Sequence, residues 1–220
     1  MTQALPNEGQ SLADYLWEET KEYREQALKS NFINGLREKR LDPTDFGAFM
    51  VQDSVYVHEG MVSLETAAAN SDSGVDIQEF LRSKAESWKG YCKGLYEAWH
   101  INETEGIILG DAARQCASGI RDVAVNELPV YTILALTPCA KLWPWLGQQI
   151  ESGTRDFGVY TSWVKKNLKP DSRGYLKYEE YVEEAYKRGD VEAEKALEIF
   201  TASIQNEVAF FNSVGLSHEM

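Results

Sequence analysis

The sequence predicts an all-α fold, and three observations support this prediction. Apolar residues recur at three- and four-residue steps along almost the whole chain, which is the period of an amphipathic helix. Clean apolar/polar alternation between turn residues, the mark of a strand, is hard to find. No linker, internal repeat or low-complexity segment divides the 220 residues, so we expect one helical domain over residues 1–220.

The N-terminal half is expected to form four helices. Ser11 is a typical N-cap for the first, and the turn Asp42-Pro43-Thr44 should cap a long third helix. The expected ranges are 11–30, 32–39, 45–69 and 76–99.

The C-terminal half is expected to form five more helices. Pro129 is placed to open one of them at its first position. Pro138 and Pro144 lie inside that same helix, where each removes a backbone donor, so we expect a kink beside Cys139. The expected ranges are 104–125, 129–151, 160–168, 175–187 and 190–214, which brings the total to eight or nine helices.

The composition argues against several classes of partner. With 22 Lys and Arg against 35 Asp and Glu, the net charge is −13, and no Lys/Arg-rich run offers a surface for nucleic acid or an anionic membrane. No apolar run reaches the roughly 18 residues of a membrane span, and residues 1–10 lack the features of a signal peptide. We therefore expect a cytoplasmic protein that binds a small molecule and neither nucleic acid nor membrane.

The cysteines and histidines do not predict a metal site. Three widely spaced cysteines make an odd count, so we expect free thiols. The histidines His58, His100 and His218 are isolated. Glu97 and His100 form one Glu-x-x-His pair, which is half of a di-iron motif, and the chain has no second pair. We expect no metal and no cofactor, although counting alone leaves single-histidine haem ligation open.

A carboxylate is predicted inside the third helix. Asp53 lies in the middle of its apolar stripe, which is formed by Phe46, Phe49, Met50, Val57, Met61 and Leu64. Burying a charged carboxylate costs several kcal/mol unless it is paired or hydrogen-bonded. Asp53 is therefore either a core residue tied to an arginine or a backbone group, or a functional acid. Tyr56 faces nearly the same way.

The last helix carries a second candidate acid. Glu207 stands at the edge of an apolar stripe, between Ile204 and Phe211. Either its stem packs on the core while the carboxylate reaches water, or it is a second buried acid.

A cysteine interrupts the apolar segment YTILALTPCAKLWPWL, residues 131–146. Cys139 there is either a small buried hydrophobic residue or a nucleophile that reacts as the thiolate. Neighbouring backbone groups freed by the prolines, together with tryptophans, make the second interpretation plausible.

Four segments in order resemble the TenA/thiaminase II family of the haem-oxygenase-like superfamily. The segment FINGLREKRLDPTDFGAFMVQDSVYVHE resembles the family's F-x-x-(F/Y)-x-x-Q-D-x-x-Y region, and ILALTPCAKLW resembles its A-A-L-L-P-C segment. YTSWV is similar to Y-x-x-W-I, and FTASIQNEVAFFNSV is similar to the closing helix, in which a Glu precedes an aromatic pair. The resemblance spans residues 32–214 and implies a haem-oxygenase-like multi-helix bundle with a central pocket.

The resemblance also implies a function. The pocket would bind a 4-amino-2-methylpyrimidine ring, as in thiamin or its breakdown products, and hydrolyse it without a metal. By position, Asp53 would hydrogen-bond the ring, Cys139 would add to it, and Glu207 would move the proton. The substrate-binding aromatic residues would be Tyr56, Trp143, Phe49, Tyr131 and Phe211. TenA relatives are commonly homotetramers, so a homo-oligomer, tetramer or dimer, is expected.

The sequence departs from the family pattern at positions that bear on the substrate. Cys116 stands 23 residues before Cys139, where the family usually has a tyrosine, and Asn167 replaces a second pocket tyrosine. Tyr131 and Tyr96 are possible substitutes. Thr137 and Ala140 also differ from the residues usual around the cysteine. A ligand-binding or regulatory protein without hydrolytic activity, or an oxidase of the PqqC or haem-oxygenase type, therefore stays open beside the hydrolase.

Overall fold

The computed structural model describes residues 5–70, 74–151 and 156–215, and this part of the chain contains ten α-helices and no strand. A 3₁₀ turn, Gly158–Tyr160, leads directly into the eighth helix. The helices are α1 (Leu12–Glu19), α2 (Lys21–Leu28), α3 (Asn31–Arg37), α4 (Pro43–Ala69), α5 (Val75–Trp99), α6 (Asp111–Asn126), α7 (Pro129–Glu151), α8 (Thr161–Asn167), α9 (Tyr175–Arg188) and α10 (Ala193–Asn212). The predicted all-α fold is confirmed.

The first predicted helix is two helices. Thr20 has φ −100° and ψ 16°, which separates α1 from α2. Its buried hydroxyl donates a 2.7 Å hydrogen bond to the Leu16 carbonyl, so the side chain competes with the regular backbone ladder at this point. The prediction of one continuous helix over 11–30 was wrong because periodicity does not show a single-residue break.

The helix predicted from Thr104 begins later. Residues 104–110 form a loop in which Gly106 has φ +87°, and Gly110 is the N-cap of α6. Ile108 is 90% exposed in this loop, so its apolar side chain does not pack on the core and does not stabilise a helix here.

Capping side chains set the starts of α1 and α4. The Ser11 side chain accepts a hydrogen bond from the Asp14 amide, as the sequence predicts. Asp42 accepts one from the Thr44 amide, with Pro43 at the first helical position, so α4 begins two residues before the predicted start at 45.

The longer helices pack on one another in pairs. The long helix α4 packs against α5 and α6, α7 packs against α9, and α10 packs against both α6 and α7. Helix α7 is α-helical through Pro138 and Pro144, and its residues 129–138 are all buried. The kink expected beside Cys139 stays a prediction.

No helix in the described residues is long and apolar enough to cross a membrane.

A glycine brings α4 and α5 into close contact. The Trp88 indole lies directly against Gly60, where a Cβ atom would come within 2.3 Å of the ring. Real Cβ atoms do not tolerate such a distance, so the absence of a side chain at position 60 fixes where this indole can lie.

Candidate active site

A cavity of about 310 Å³ lies between α4, α5, α7, α8, α9 and α10. Asp53 on α4, Cys139 on α7 and Glu207 on α10 all line it, although they are far apart in the sequence. The cavity brings together seven of the eight predicted site residues, namely Phe49, Asp53, Tyr56, Cys139, Trp143, Glu207 and Phe211.

Tyr131, the eighth predicted residue, lies outside the cavity. Its hydroxyl accepts a 3.0 Å hydrogen bond from the Glu192 amide, and the Lys195 ammonium lies 5.0 Å from the centre of its ring. Tyr131 therefore anchors the start of α10 and does not face the cavity. Eight residues separate it from Cys139, which turns it about 80° around the helix from the cysteine.

Tyr56, Cys139 and Glu207 form one polar cluster. The Tyr56 hydroxyl donates a 3.1 Å hydrogen bond to Oε1 of Glu207, which is 5% exposed. The Cys139 thiol lies beside the Glu207 carboxyl group and the Tyr56 hydroxyl, close enough for these groups to affect one another's pKa. This arrangement places a group that can accept a proton next to the sulfur.

Asp53 faces the cavity without a hydrogen-bonding partner among the described residues. Burial is the main reason that its pKa rises from 3.8 to about 7, and the neighbouring charge of Glu207 adds to the rise. The residue is half-buried because its side chain borders the cavity. A carboxyl group held this way has its full hydrogen-bonding capacity available to a ligand.

Burial also shifts the pKa values of Glu207 and Cys139. The pKa of Glu207 rises to about 7, although the hydrogen bonds from Tyr56 and Cys139 oppose the rise. The pKa of the Cys139 thiol rises well above its usual value because of burial and the adjacent carboxyl groups of Glu207 and Asp53. At neutral pH the thiol is protonated, and it needs a base at the moment it reacts.

Aromatic rings form the walls of the cavity. Phe49 stacks on Phe210 with ring centres 4.4 Å apart. Trp143 meets Phe211 edge-on at 5.3 Å and Trp163 at 6.0 Å. Flat, apolar walls with a few carboxyl groups suit a planar heterocycle that carries hydrogen-bond donors.

Five aromatic residues that line the cavity were not among the predicted site residues. Trp88 and Tyr91 come from α5, Trp163 from α8, Tyr178 from α9 and Phe210 from α10. Burial and the nearby Asp53 and Cys139 raise the pKa of Tyr91, and burial raises that of Tyr178 to about 12, so both remain neutral phenols. They place hydroxyl groups at the cavity although the two family tyrosine positions hold other residues.

Positions 167 and 116, where the family usually has a tyrosine, line two different hollows. Asn167 lines the cavity and donates a 2.8 Å hydrogen bond to the Trp163 carbonyl. Cys116 lines a neighbouring hollow of about 140 Å³, which Tyr56 and Glu207 also border. Glu207 therefore stands between two hollows.

Exposed polar residues surround the open end of the cavity. Lys166 and Asn167 end α8, and Lys169 and Ser172 follow in the loop to α9. Both lysines and the serine are exposed.

The other titratable residues noted in the sequence lie apart from this cavity. His58, Cys92, Tyr96 and His100 line a separate open groove of about 440 Å³, so Tyr96 does not replace a missing cavity tyrosine. Within the described ranges, no group of three or more His, Cys, Asp or Glu side chains could hold a metal ion. His218 lies outside the described residues.

The fold matches that of TenA homologues among solved structures. A TenA homologue from P. horikoshii OT3 aligns over 93% of this chain and 98% of its own, with a TM-score of 0.80 and 15% identity. A protein from Sulfolobus solfataricus P2 described as TenA-like and as a candidate thiaminase aligns over 92% and 95%, with a TM-score of 0.67 and 20% identity. A TenA family transcription regulator from Silicibacter sp. TM1040 aligns over 97% and 98%, with a TM-score of 0.68 and 14% identity.

At these identities the likeness establishes the fold. The multi-helix bundle implied by the sequence resemblance is confirmed as the fold shared with TenA homologues. No protein-family model matches the chain, and no curated protein matches it.

Proposed function

We propose that the protein is a hydrolase of an aminopyrimidine, such as thiamin or a thiamin breakdown product, with Cys139 as the nucleophile. One observation carries the proposal: a thiol and two carboxyl groups from three separate helices border a single aromatic-walled cavity. The TenA-like fold supports the same substrate class.

Glu207 is the base that activates the thiol. It lies beside the Cys139 thiol, and a carboxyl group with a pKa of about 7 is close to evenly divided between its two forms at neutral pH. Proton transfer from sulfur to Glu207 makes the thiolate only when an electron-poor ring is present to receive it.

Asp53 stabilises the negative charge that develops on the ring. Addition of sulfur places negative charge on the ring nitrogens, and a protonated carboxyl group aimed at them offsets that charge. Its raised pKa keeps the proton available near pH 7.

The proposed reaction has four steps, which together conserve atoms, electrons and protons. Sγ forms a bond to the ring carbon beside the one that bears the aminomethyl group, the thiol proton moves to Glu207, and Asp53 gives a proton to a ring nitrogen. The ring electrons then expel the amine, which takes the proton held by Glu207, while Asp53 recovers a proton from the ring. Water adds to the exocyclic carbon and returns a proton to Glu207. The carbon–sulfur bond breaks, and the thiol recovers its proton, so the sum is replacement of an amine by a hydroxyl group.

The test is direct incubation with thiamin and with 4-amino-5-aminomethyl-2-methylpyrimidine, followed by mass spectrometry. We expect the hydroxymethylpyrimidine from both compounds, together with the thiazole from thiamin and ammonia from the aminomethylpyrimidine. A protein that turns over neither compound contradicts the proposal. Light scattering of the same sample tests the homo-oligomer that the family resemblance implies.

A non-hydrolytic ligand-binding protein is the second candidate. Two observations favour it. The raised pKa of Cys139 keeps the thiol protonated at neutral pH, and a protein with the same fold from Silicibacter is described as a transcription regulator. A binder would show saturable quenching of the cavity tryptophans by the pyrimidine with no product formed.

A further inference from the structure

The two ends of the cavity carry different ionisable groups, carboxyl groups inside and ammonium groups at the exposed end. Asp53 and Glu207 border its interior, whereas Lys166 and Lys169 border its exposed end. We propose that the ligand is an aromatic heterocycle that carries a phosphate monoester, with the ring between the aromatic walls and the phosphate held by these two lysines. This inference rests on the proposed function for the identity of the ring.

The cavity is larger than a single ring requires. A cavity of roughly 150 Å³ already holds benzene, and this one measures about 310 Å³. The remaining space leads to the lysines, so a ring seated at the carboxyl groups leaves room for a substituent that extends outward.

The two lysines have no competing partner in the described structure. Neither forms an ion pair or a hydrogen bond there, although acidic residues outnumber basic ones by 13 in the chain. Lys141, in contrast, pairs with Glu179 at 2.6 Å. Ammonium groups without acidic partners are available to an anionic oxygen, and charge-assisted hydrogen bonds of this kind are stronger than neutral ones.

The segment that carries Lys169 is held against α7, the helix that carries Cys139. A Cβ at Gly147 would lie 2.5 Å from the Leu168 carbonyl oxygen, so the two backbones are in direct contact. The Gln148 side chain also donates a 2.8 Å hydrogen bond to the Pro170 carbonyl. The lysine is therefore attached to a fixed part of the cavity rim.

If Lys166 only stabilised the C-terminal end of α8, replacing Lys165 should have the same effect as replacing Lys166. Lys165 and Lys166 both lie in the last turn of α8, where cations are favourable. Lys165 is exposed but does not border the cavity, which makes it a matched control.

The experiment measures binding by quenching of tryptophan fluorescence, since Trp88, Trp143 and Trp163 border the cavity. Two pairs of probes place the phosphate at different distances from the ring: 4-amino-5-hydroxymethyl-2-methylpyrimidine with its phosphate ester, and thiamin with thiamin monophosphate. Each is titrated into the native protein, a Lys166→Ala/Lys169→Ala variant and Lys165→Ala. Thiamin titrations are completed before measurable turnover.

We expect at least one phosphorylated probe to bind the native protein about tenfold more tightly than its parent. That advantage should disappear in the double variant, persist in Lys165→Ala and shrink as salt is added. The pair that shows the effect identifies how far the phosphate lies from the ring.

The inference is overturned if phosphorylation gives no advantage, or if the double variant keeps it, or if Lys165→Ala loses it equally. Binding of the unphosphorylated parents would still support the aminopyrimidine site in each of these cases. Failure of all four probes to bind would instead contradict the proposed function itself.

Discussion

The phenol of Tyr56 donates a hydrogen bond of 3.1 Å to the carboxyl group of Glu207, joining α4 to α10 beside Cys139. This bond lowers the pKa of Glu207 against the larger effect of burial. Tyr56 therefore tunes the group that we propose as the base, besides forming part of the cavity wall.

Tyr56→Phe should move the pH–rate profile to higher pH. Without the phenol hydrogen bond, the carboxylate form of Glu207 is less stable and its pKa rises further above its ordinary value. The acidic limb of kcat/KM, which reports the coupled carboxyl pair, should shift upward by about half to one pH unit, since one unit corresponds to about 1.4 kcal/mol. Steady-state rates between pH 5 and 9 measure it.

Tyr91→Phe is the matched control for that variant. Tyr91 borders the same cavity but makes no hydrogen bond with Glu207 in the described structure. An unchanged acidic limb in Tyr56→Phe, or an equal shift in both variants, would argue against tuning by Tyr56.

Asp53→Asn should stabilise the protein at alkaline pH. The folded pKa of Asp53 is about 7 against an ordinary 3.8, so the unfolded chain loses this proton first as pH rises. Stability from the buried neutral acid is fully present below about pH 4 and falls up to about pH 7, above which the buried anion is a constant cost. Asparagine removes that cost.

The measurement is Tm at pH 8 and at pH 4. We expect a rise of a few degrees at pH 8, given about 2–4 °C per kcal/mol for a chain of this size. At pH 4 both side chains are neutral, so no gain is expected. A variant that is no more stable than the native protein at pH 8 would show that Asp53 is not buried as an unpaired acid. Hydrolysis should be lost, because asparagine cannot exchange the proton.

Cys139→Ser should abolish hydrolysis and leave the fold intact. Serine preserves the size of the side chain but is a far weaker nucleophile, so kcat should fall by at least about 10³-fold. Product formation measures the loss, and circular dichroism checks the helices. Cys116→Ser, in the neighbouring hollow, should keep most of the activity. Full activity in Cys139→Ser would remove the cysteine mechanism.

Thr132→Val should raise the free energy of unfolding. Thr132 on α7 is completely buried, and its hydroxyl has no hydrogen-bonding partner in the described structure. Valine has nearly the same shape without the polar atom, so the gain should be roughly 1 kcal/mol. Urea unfolding of Thr137→Val is the comparison, since the Thr137 hydroxyl donates a 2.9 Å hydrogen bond to the Ile133 carbonyl. That variant should gain nothing, and an equal gain in both would contradict the explanation.

Sequence reasoning identified the acids because they interrupt regular patterns. Asp53 breaks an apolar stripe on a long helix, so helical periodicity predicts that it faces inward. Glu207 stands at the edge of a stripe, so periodicity alone left a buried acid and a carboxylate that reaches water both open. The break at Thr20 followed no such pattern, since it depends on one side chain hydrogen-bonding its own backbone.

The residues of α7 show where periodicity fails. Residues 129–138 are buried on every side of the helix, so the apolar pattern does not say which side faces the cavity. Tyr131 was assigned to the substrate as a possible substitute for a missing family tyrosine, and its apolar surroundings gave no reason to reject it, although it lies about 80° around the helix from Cys139. Trp143, four residues after the cysteine, shares its face and does line the cavity.

The tyrosines of the cavity wall were missed for a different reason. Tyr91 is 42% exposed, and Lys89 and Lys93 lie two positions before and after it in the sequence. A residue that borders an internal hollow tolerates polar neighbours just as a residue facing bulk water does. Hydropathy alone does not separate these two environments.

The close contact between Gly60 and Trp88 means that a residue outside the cavity affects the size of the ligand that the cavity can hold. Any side chain at position 60 would displace the indole and, with it, one boundary of the hollow. Gly60 does not border the hollow itself. Which molecules the protein accommodates therefore depends in part on a single hydrogen atom that no bound molecule touches.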